Sequence, residues 1–191
     1  MLLQVTGPNG CGKTSLLRII CGLMSPEGGE IRWQGAEIRS LAEEYSRSIT
    51  YIGHRIAVKE ELNSFENLRI SSGLAGCELS LEQARKALVR VGLGGREYLP
   101  ARFLSEGQRR RSALARLLNC SAVLWILDEV LASLDHAAVT LVESLISEHL
   151  SNGGMAIVAT HQELHISAGS FQRLELEPAI PGGAGPSGRP S

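Results

Sequence analysis

Short apolar runs alternate with helical patterns along this chain. LLQVT (2–6) is an apolar run ending at a glycine-rich turn, which predicts a buried strand. TSLLRIICGLM follows and places Leu16, Leu17 and Ile20 on one helical face; Pro26, with Gly28 and Gly29, is expected to stop that helix. GEIRWQGAEI predicts a turn-flanked strand pair and SITYIGH a further strand. From about residue 59 to 119 the texture becomes helical. Within it, SLEQARKALVRVGL opens with Ser80 and Gln83 at capping-box spacing and closes at Gly92. VLWILDE (123–129) is a continuous apolar strand ending in two acids. AAVTLVESLISEHL is an amphipathic helix ended by Asn152, Gly153 and Gly154, and MAIVATH (155–161) is another buried strand. This alternation implies an α/β fold, a parallel sheet with helices on its faces. Ligands should then collect at the carboxyl ends of the strands. Residues 1–58 and 120–177 are expected to form one core, with 59–119 an inserted helical subdomain. The stretch 178–191 is dominated by Pro and Gly, has little to bury, and is expected to be disordered.

Composition narrows the picture modestly. A chain of 191 residues suits one domain, and 43% hydrophobic with 20% charged residues is ordinary globular composition. A net charge of −1 supplies no basic field for nucleic acid, and no nucleic-acid partner is expected. The four cysteines have no CxxC spacing and are expected to be reduced thiols of an intracellular protein. No apolar run is long enough to span a bilayer, so any membrane role is expected to come through a partner rather than by insertion. MLLQV is too short and too uncharged for a signal peptide.

GPNGCGKTS (7–15) carries the first chemistry. It fits G-x-x-x-x-G-K-[ST] at Gly7, Gly12, Lys13 and Thr14, and the residues between and after them, Pro8, Asn9, Gly10, Cys11 and Ser15, complete the loop. Glycines let backbone N–H groups turn inward around a phosphate, and the following helix adds its positive end. Lys13 is expected to neutralise β- and γ-phosphate oxygens of a nucleotide, and Thr14 to ligate Mg²⁺. Cys11 reads first as a small residue tolerated in a tight loop, and secondly as a thiol whose oxidation would block the site.

In LWILDEV, Asp128 ends a buried strand, where it can reach Mg²⁺ through a water. Glu129, one residue on, is the candidate general base for the attacking water. His161 ends the next predicted strand and could bridge the γ-phosphate, the water and Glu129. His136, His149 and His165 have no such placement and are expected to be surface residues. Ser105 and Gln108 in LSEGQRRRSALARLL form a further capping box, yet a cap alone does not explain Gly107 in the first turn, where Gly costs up to about 1 kcal/mol against Ala.

LSEGQ and its Arg-rich helix, ahead of Asp128, resemble the signature of the ATP-binding cassette ATPases, usually LSGGQ. ASLD (132–135) resembles their D-loop and His161 their switch histidine, and the motifs run in family order from residue 7 to 161. The resemblance implies a P-loop fold with a RecA-like core. It also implies two cassettes pairing head to tail, with ATP between one P-loop and the other's Ser105, Gly107 and Gln108. RWQG, YIGH, FENL, LARLL, LWILDE and GGMAIVATHQ further resemble the ATP-binding subunit of the cytochrome c maturation transporter, often called a haem exporter. Membrane transporter subunits are then the implied partners, at the cytoplasmic face of a bacterial inner membrane. ATP hydrolysis would drive haem export or release of haem from its chaperone.

The chain departs from that family in several places. Gly53, His54, Arg55 and Ile56 stand where GHQP is common, so no glutamine is available; His54 is a poor Mg²⁺ ligand and is expected chiefly to couple to partner subunits. Glu106 replaces a small residue and must point to solvent to be tolerated beside a γ-phosphate. Val130 replaces the usual Pro. The family's antiparallel strands and adenine-stacking aromatic ahead of the P-loop are missing, so Met1 is expected to be an internal or mis-assigned start. Competing readings are an exporter ATPase for another small molecule, a soluble cassette ATPase acting on ribosomes or DNA, and a truncated cassette that binds nucleotide without turnover.

Overall fold

The computed structural model describes residues 1–54, 57–119, 121–132 and 134–178. Arg55, Ile56, Cys120, Ser133 and all of the expected tail beyond Pro178 lie outside the described residues.

A five-stranded sheet organises the molecule, in the order β4 (Ile49–Ile52), β5 (Leu124–Asp128), β6 (Met155–Ala159), β1 (Leu2–Thr6), β7 (Phe171–Glu175). Every neighbouring pair in it is parallel. All carboxyl ends therefore share one edge, and the loops after β1, β5 and β6 meet there. β5 is buried along its whole length, and its side chains alternate between faces. Trp125 and Leu127 pack with Val142, Leu145 and Ile146 of α6 (His136–Ser151), while Leu124 and Ile126 pack with Leu17 of α1 (Lys13–Ile20). Each such fully buried aliphatic side chain contributes about 1.5–3 kcal/mol.

The helical stretch has its own apolar centre. Phe65 and Leu68 of α3 (Ser64–Leu74) meet Ala84, Ala87 and Leu88 of α4 (Leu81–Arg90), together with Val91 and Leu93. Capping boxes open all three of its helices, Asn63 with Glu66, Ser80 with Gln83, and Ser105 with Gln108 at the start of α5 (Glu106–Leu114). Each box satisfies N–H groups that a helix start otherwise leaves bare.

Three elements differ from the sequence expectation. α1 stops at Ile20, well before Pro26, because Gly22 takes φ 72°, its N–H reaches Ile19 O (3.0 Å), and Leu23 N–H reaches Arg18 O (2.9 Å). That is a Schellman end, available to Gly at little cost. The GEIRWQGAEI segment forms the hairpin β2 (Arg32–Trp33) and β3 (Ala36–Glu37), turned by Gln34 and Gly35 at positive φ. It is followed at once by an unforeseen helix, α2 (Ile38–Ser48), kinked at Ala42 (φ 30°, ψ −93°). β7 is the other unforeseen element: all five of its residues are exposed, so no burial pattern marks it.

Candidate functional site

The loop after β1 is built for close approach. Gly7, Gly10 and Gly12 hold φ of 137°, 82° and 101°. A Cβ at Gly7 would collide with Leu176 O and stand 2.8 Å from Cys11 Sγ, whereas one at Gly10 or Gly12 would meet open space. Gly7 is thus required by crowding as well as conformation, and the other two by conformation alone. α1 begins at Lys13 with no side-chain cap and no acidic residue in its first turn. Its leading N–H groups and the positive end of its dipole therefore face the loop, ready for an anion.

Lys13 is buried and donates from Nζ to Gly7 O (2.8 Å) and Pro8 O (3.2 Å). The same Nζ lies 2.9 Å from His161 Nε2 and 4.0 Å from Glu129 Oε1. His161 Nε2 is 3.6 Å from Glu129 Oε1 and 3.2 Å from Asn9 Oδ1, so a cation, an imidazole and a carboxylate converge at the sheet edge. Glu129 adopts φ 53°, rare for a non-glycine residue, and its N–H donates to Ala159 O (2.9 Å). β6 itself ends at Ala159, so His161 projects from the loop after it rather than from the strand.

Asp128 is fully buried. Thr14 Oγ1 donates to its Oδ1 (3.2 Å) and Tyr51 Oη to its Oδ2 (3.3 Å). A threonine hydroxyl and a carboxylate are the hard oxygen donors that Mg²⁺ prefers, with phosphate oxygens and waters completing its octahedron. The donor set fits that ion. No cage of three His, Cys, Asp or Glu side chains occurs among the described residues.

Ser105, Gly107 and Gln108 are not joined to this cluster. Ser105 Oγ accepts from Gln108 N–H (3.2 Å) and Gln108 Oε1 accepts from Ser105 N–H (3.0 Å), so both side chains are engaged in the cap. Ser105 is exposed and Gly107 half-buried. His54 is exposed at the end of β4 and is not part of the Thr14–Asp128 contact. Glu106 lies largely open to solvent, with Oε1 3.3 Å from Arg110 Nη2.

Sequence reasoning missed Tyr51. Burial, then the Asp128 charge, push its phenol above its usual value, only partly offset by Arg18, so it stays protonated and donates. A Cβ at Gly53 would come within 2.8 Å of Tyr51 Oη, so Gly53 is the clearance that lets the ring lie there. Gln4, buried in β1, donates to Gln162 O (3.0 Å) and pins the loop that carries His161. A buried glutamine inside an apolar strand was the available signal. Burial, with a smaller push from Asp128, raises the Cys21 thiol to about 12 and keeps it inert.

His149 is not the surface residue its position in a helix suggested. Its ring stacks on Trp125 (3.9 Å between centroids, 6° between planes), and Nε2–H is shared between Val123 O and Met155 O, each 3.1 Å away. Desolvation lowers its pKa, only partly opposed by those two bonds. The last turn of α6 thus reaches the amino ends of β5 and β6, which no local pattern announces.

The ABC transporter family model matches residues 1–132. The cytochrome c biogenesis ATP-binding export proteins CcmA of Nitrosospira multiformis and Nitrosomonas europaea are 58% and 54% identical over 175 residues, covering 92% of this chain and 85% and 82% of theirs. Among solved structures, a putative ABC transporter ATP-binding protein from Pyrococcus furiosus superposes with a TM-score of 0.77 at 26% identity, over 92% of this chain and 84% of that one. A dimeric bacterial ABC transporter cassette shares the fold with a TM-score of 0.78 at 22% identity, over 94% and 83% of the two chains.

Proposed function

The chain belongs to the ABC transporter family, and within it to the cytochrome c biogenesis ATP-binding export proteins; on that premise we propose how its residues perform ATP hydrolysis and what the hydrolysis moves. The meeting of Lys13, Glu129 and His161 at one sheet edge carries the proposal. The loop from Gly7 to Ser15 cradles the phosphates of ATP with backbone N–H groups, and Lys13 neutralises the β- and γ-oxygens. Thr14 and, through water, Asp128 would hold Mg²⁺, which would supply charge neutralisation on the phosphates. Glu129 takes the proton of the attacking water, and His161 orients that water against the γ-phosphate.

Ser105, Gly107 and Gln108 form the second half of a partner's ATP site, so that two copies close head to tail on two nucleotides. In support of this, Ser105 is exposed, and the hydrogen bonds of Ser105 and Gln108 run to each other rather than to Lys13, Glu129 or His161. Segments 1–58 and 120–177 act as the nucleotide-binding core, and 59–119 presents the signature. Integral membrane subunits of the cytochrome c maturation system dock beside α3, at the cytoplasmic face of the inner membrane. There a groove of about 560 Å³ is flanked by exposed Ile70 and Leu74, and no helix among the described residues is long and apolar enough to cross a membrane. His54 lines the adjoining groove and couples to the same subunits. Closure and hydrolysis drive haem export or release of haem from its chaperone.

The test is to co-express the chain with its membrane subunits and follow ATP turnover and haem transfer. Leu74→Asp is expected to lose co-purification while keeping nucleotide binding. Retained co-purification would move the docking site elsewhere, and haem transfer that continues without ATP turnover would remove the coupling.

A further inference from the structure

Arg110 is a buried cation in α5 that the hydrolytic roles above leave unused. Its guanidinium reaches two ways. Nη1 donates to Glu129 O (3.4 Å), and Nη2 donates to Glu106 Oε1 (3.3 Å). Nε has no partner among the described residues, and the side chain borders a narrow gap also lined by Ile52, Gly53, Ala113 and Val130. One planar group therefore spans from the first turn of the signature helix to the backbone of the residue after Asp128.

The backbone it reaches is a strained one. With φ 53°, Glu129 stays in place only because its surroundings hold it. On one side its N–H is bonded to Ala159 O (2.9 Å); on the other its carbonyl accepts from Ala132 N–H (3.2 Å) and from Arg110 (3.4 Å). These bonds hold the peptide planes flanking the Cα from which its carboxylate departs, and the one from Arg110 leads to the signature helix. Glu106, the other acceptor, is exposed in the first turn of α5, beside Ser105 and Gly107.

We propose that Arg110 is a positioning residue that relays the state of the signature turn to Glu129 of the same subunit, by dividing one guanidinium between the Glu106 carboxylate and the Glu129 carbonyl. The relay rests on the reading of Ser105 and Gly107 as half of the partner's ATP site and of Glu129 as the base. A phosphate arriving at that turn repels the Glu106 carboxylate, which loosens its hold on Arg110 and leaves the guanidinium to Glu129 O. ATP captured on the partner's side then orients the base on this side, and the two sites of the dimer fire together. Glu106 is a small residue in the usual signature, so the relay is tied to this chain's own departure from it.

The experiment measures ATP turnover against ATP concentration in the chain assembled with its membrane subunits, for Arg110→Met, Arg110→Lys, Glu106→Ala and the double variant Glu106→Ala/Arg110→Met, with Glu129→Gln alongside. Arg110→Met should lower kcat by about tenfold or more, the effect of losing a charge-assisted hydrogen bond, with the KM for ATP within about twofold. Arg110→Lys should restore only part of kcat, because an ammonium cannot bridge both acceptors. Glu106→Ala, at an exposed position that does not threaten folding, should lower the Hill coefficient, and the double variant should lower it no further. Independent effects of Glu106→Ala and Arg110→Met on the Hill coefficient, or kcat and KM changing together in Arg110→Met, would overturn the relay. Glu129→Gln separates the two failures: if it stalls turnover while Arg110→Met does not, the relay alone is wrong, and if it hydrolyses freely, the assignment of Glu129 is wrong as well.

Discussion

The two ends of the central sheet are held together in opposite ways. At the carboxyl end, Lys13, His161 and Glu129 meet across 2.9 to 4.0 Å, three loop glycines and Glu129 sit at positive φ, and Arg110 Nε has no partner among the described residues. At the amino end, a neutral imidazole lies flat on Trp125, and one N–H closes the carbonyl just ahead of β5 and the first carbonyl of β6. Polar groups with unspent capacity belong where phosphates and water must be handled, and strain there is tolerable because the rest of the fold determines the backbone. Neutral stacking belongs where nothing need change. The difference teaches that this sheet stores its reactivity at one edge and its stability at the other.

Substitutions at the two ends should therefore separate activity from stability. Glu129→Gln is expected to have the largest effect, a fall of about 10²- to 10⁴-fold in ATP turnover, with thermal unfolding unchanged and an ATP-bound dimer accumulating in size exclusion. An unaltered rate would take Glu129 out of the reaction. Trp125→Ala, at the other end, should cost about 3–5 kcal/mol in denaturant unfolding, as for a buried aromatic truncated in a core. If the soluble fraction of that variant binds ATP as tightly as the parent, the comparison sharpens; if stability is unmoved, the stack is ornamental.

Tyr51→Phe comes next. It removes one of the two donors on Asp128, and should weaken Mg²⁺ dependence of turnover by about 10- to 100-fold, the usual scale for the partner of a metal ligand. Identical Mg²⁺ titrations for the two proteins would show that Thr14 alone orients the carboxylate. The smallest effect belongs to His149. Its folded-state pKa is lowered, so the unfolded chain binds the extra proton more readily, and stability is lost as pH falls below the ordinary histidine range. Melting temperature followed from pH 7.5 downward should decline more steeply in the parent than in His149→Gln. Parallel curves would break this part of the comparison.

The sequence disclosed the reactive edge better than the quiet one, for physical reasons. A phosphate loop needs glycines at fixed spacing, and an acid pair after an apolar strand has few other uses, so Gly7, Lys13, Asp128 and Glu129 stand out without any tertiary knowledge. The parallel sheet followed from the alternation of β1, α1, β5, α6 and β6. By contrast, β7 is an exposed edge strand paired with β1, a partner more than 160 positions away in sequence, and FQRLE carries no alternation to betray it. α2 buries only Ile38 and Tyr45, too few apolar points to fix a helical period. α1 is shorter than Pro26 predicts because Gly22, a glycine soon after the last apolar residue, is the stronger stop. Tyr51 and His149 owe their roles to contacts with distant strands, which lie beyond any local pattern.

The clearance at Gly53 has an evolutionary meaning. Tyr51 and residue 53 cannot vary independently: so long as the phenol rests on Asp128, any side chain at 53 would meet the ring. Gly53→Ala should be harmful in the parent and far milder once Tyr51 is a small residue, an epistasis of magnitude between two positions at one strand end. A lineage that fills position 53 therefore changes Tyr51 first, and the order in which this segment can drift is set by a ring and a hydrogen atom.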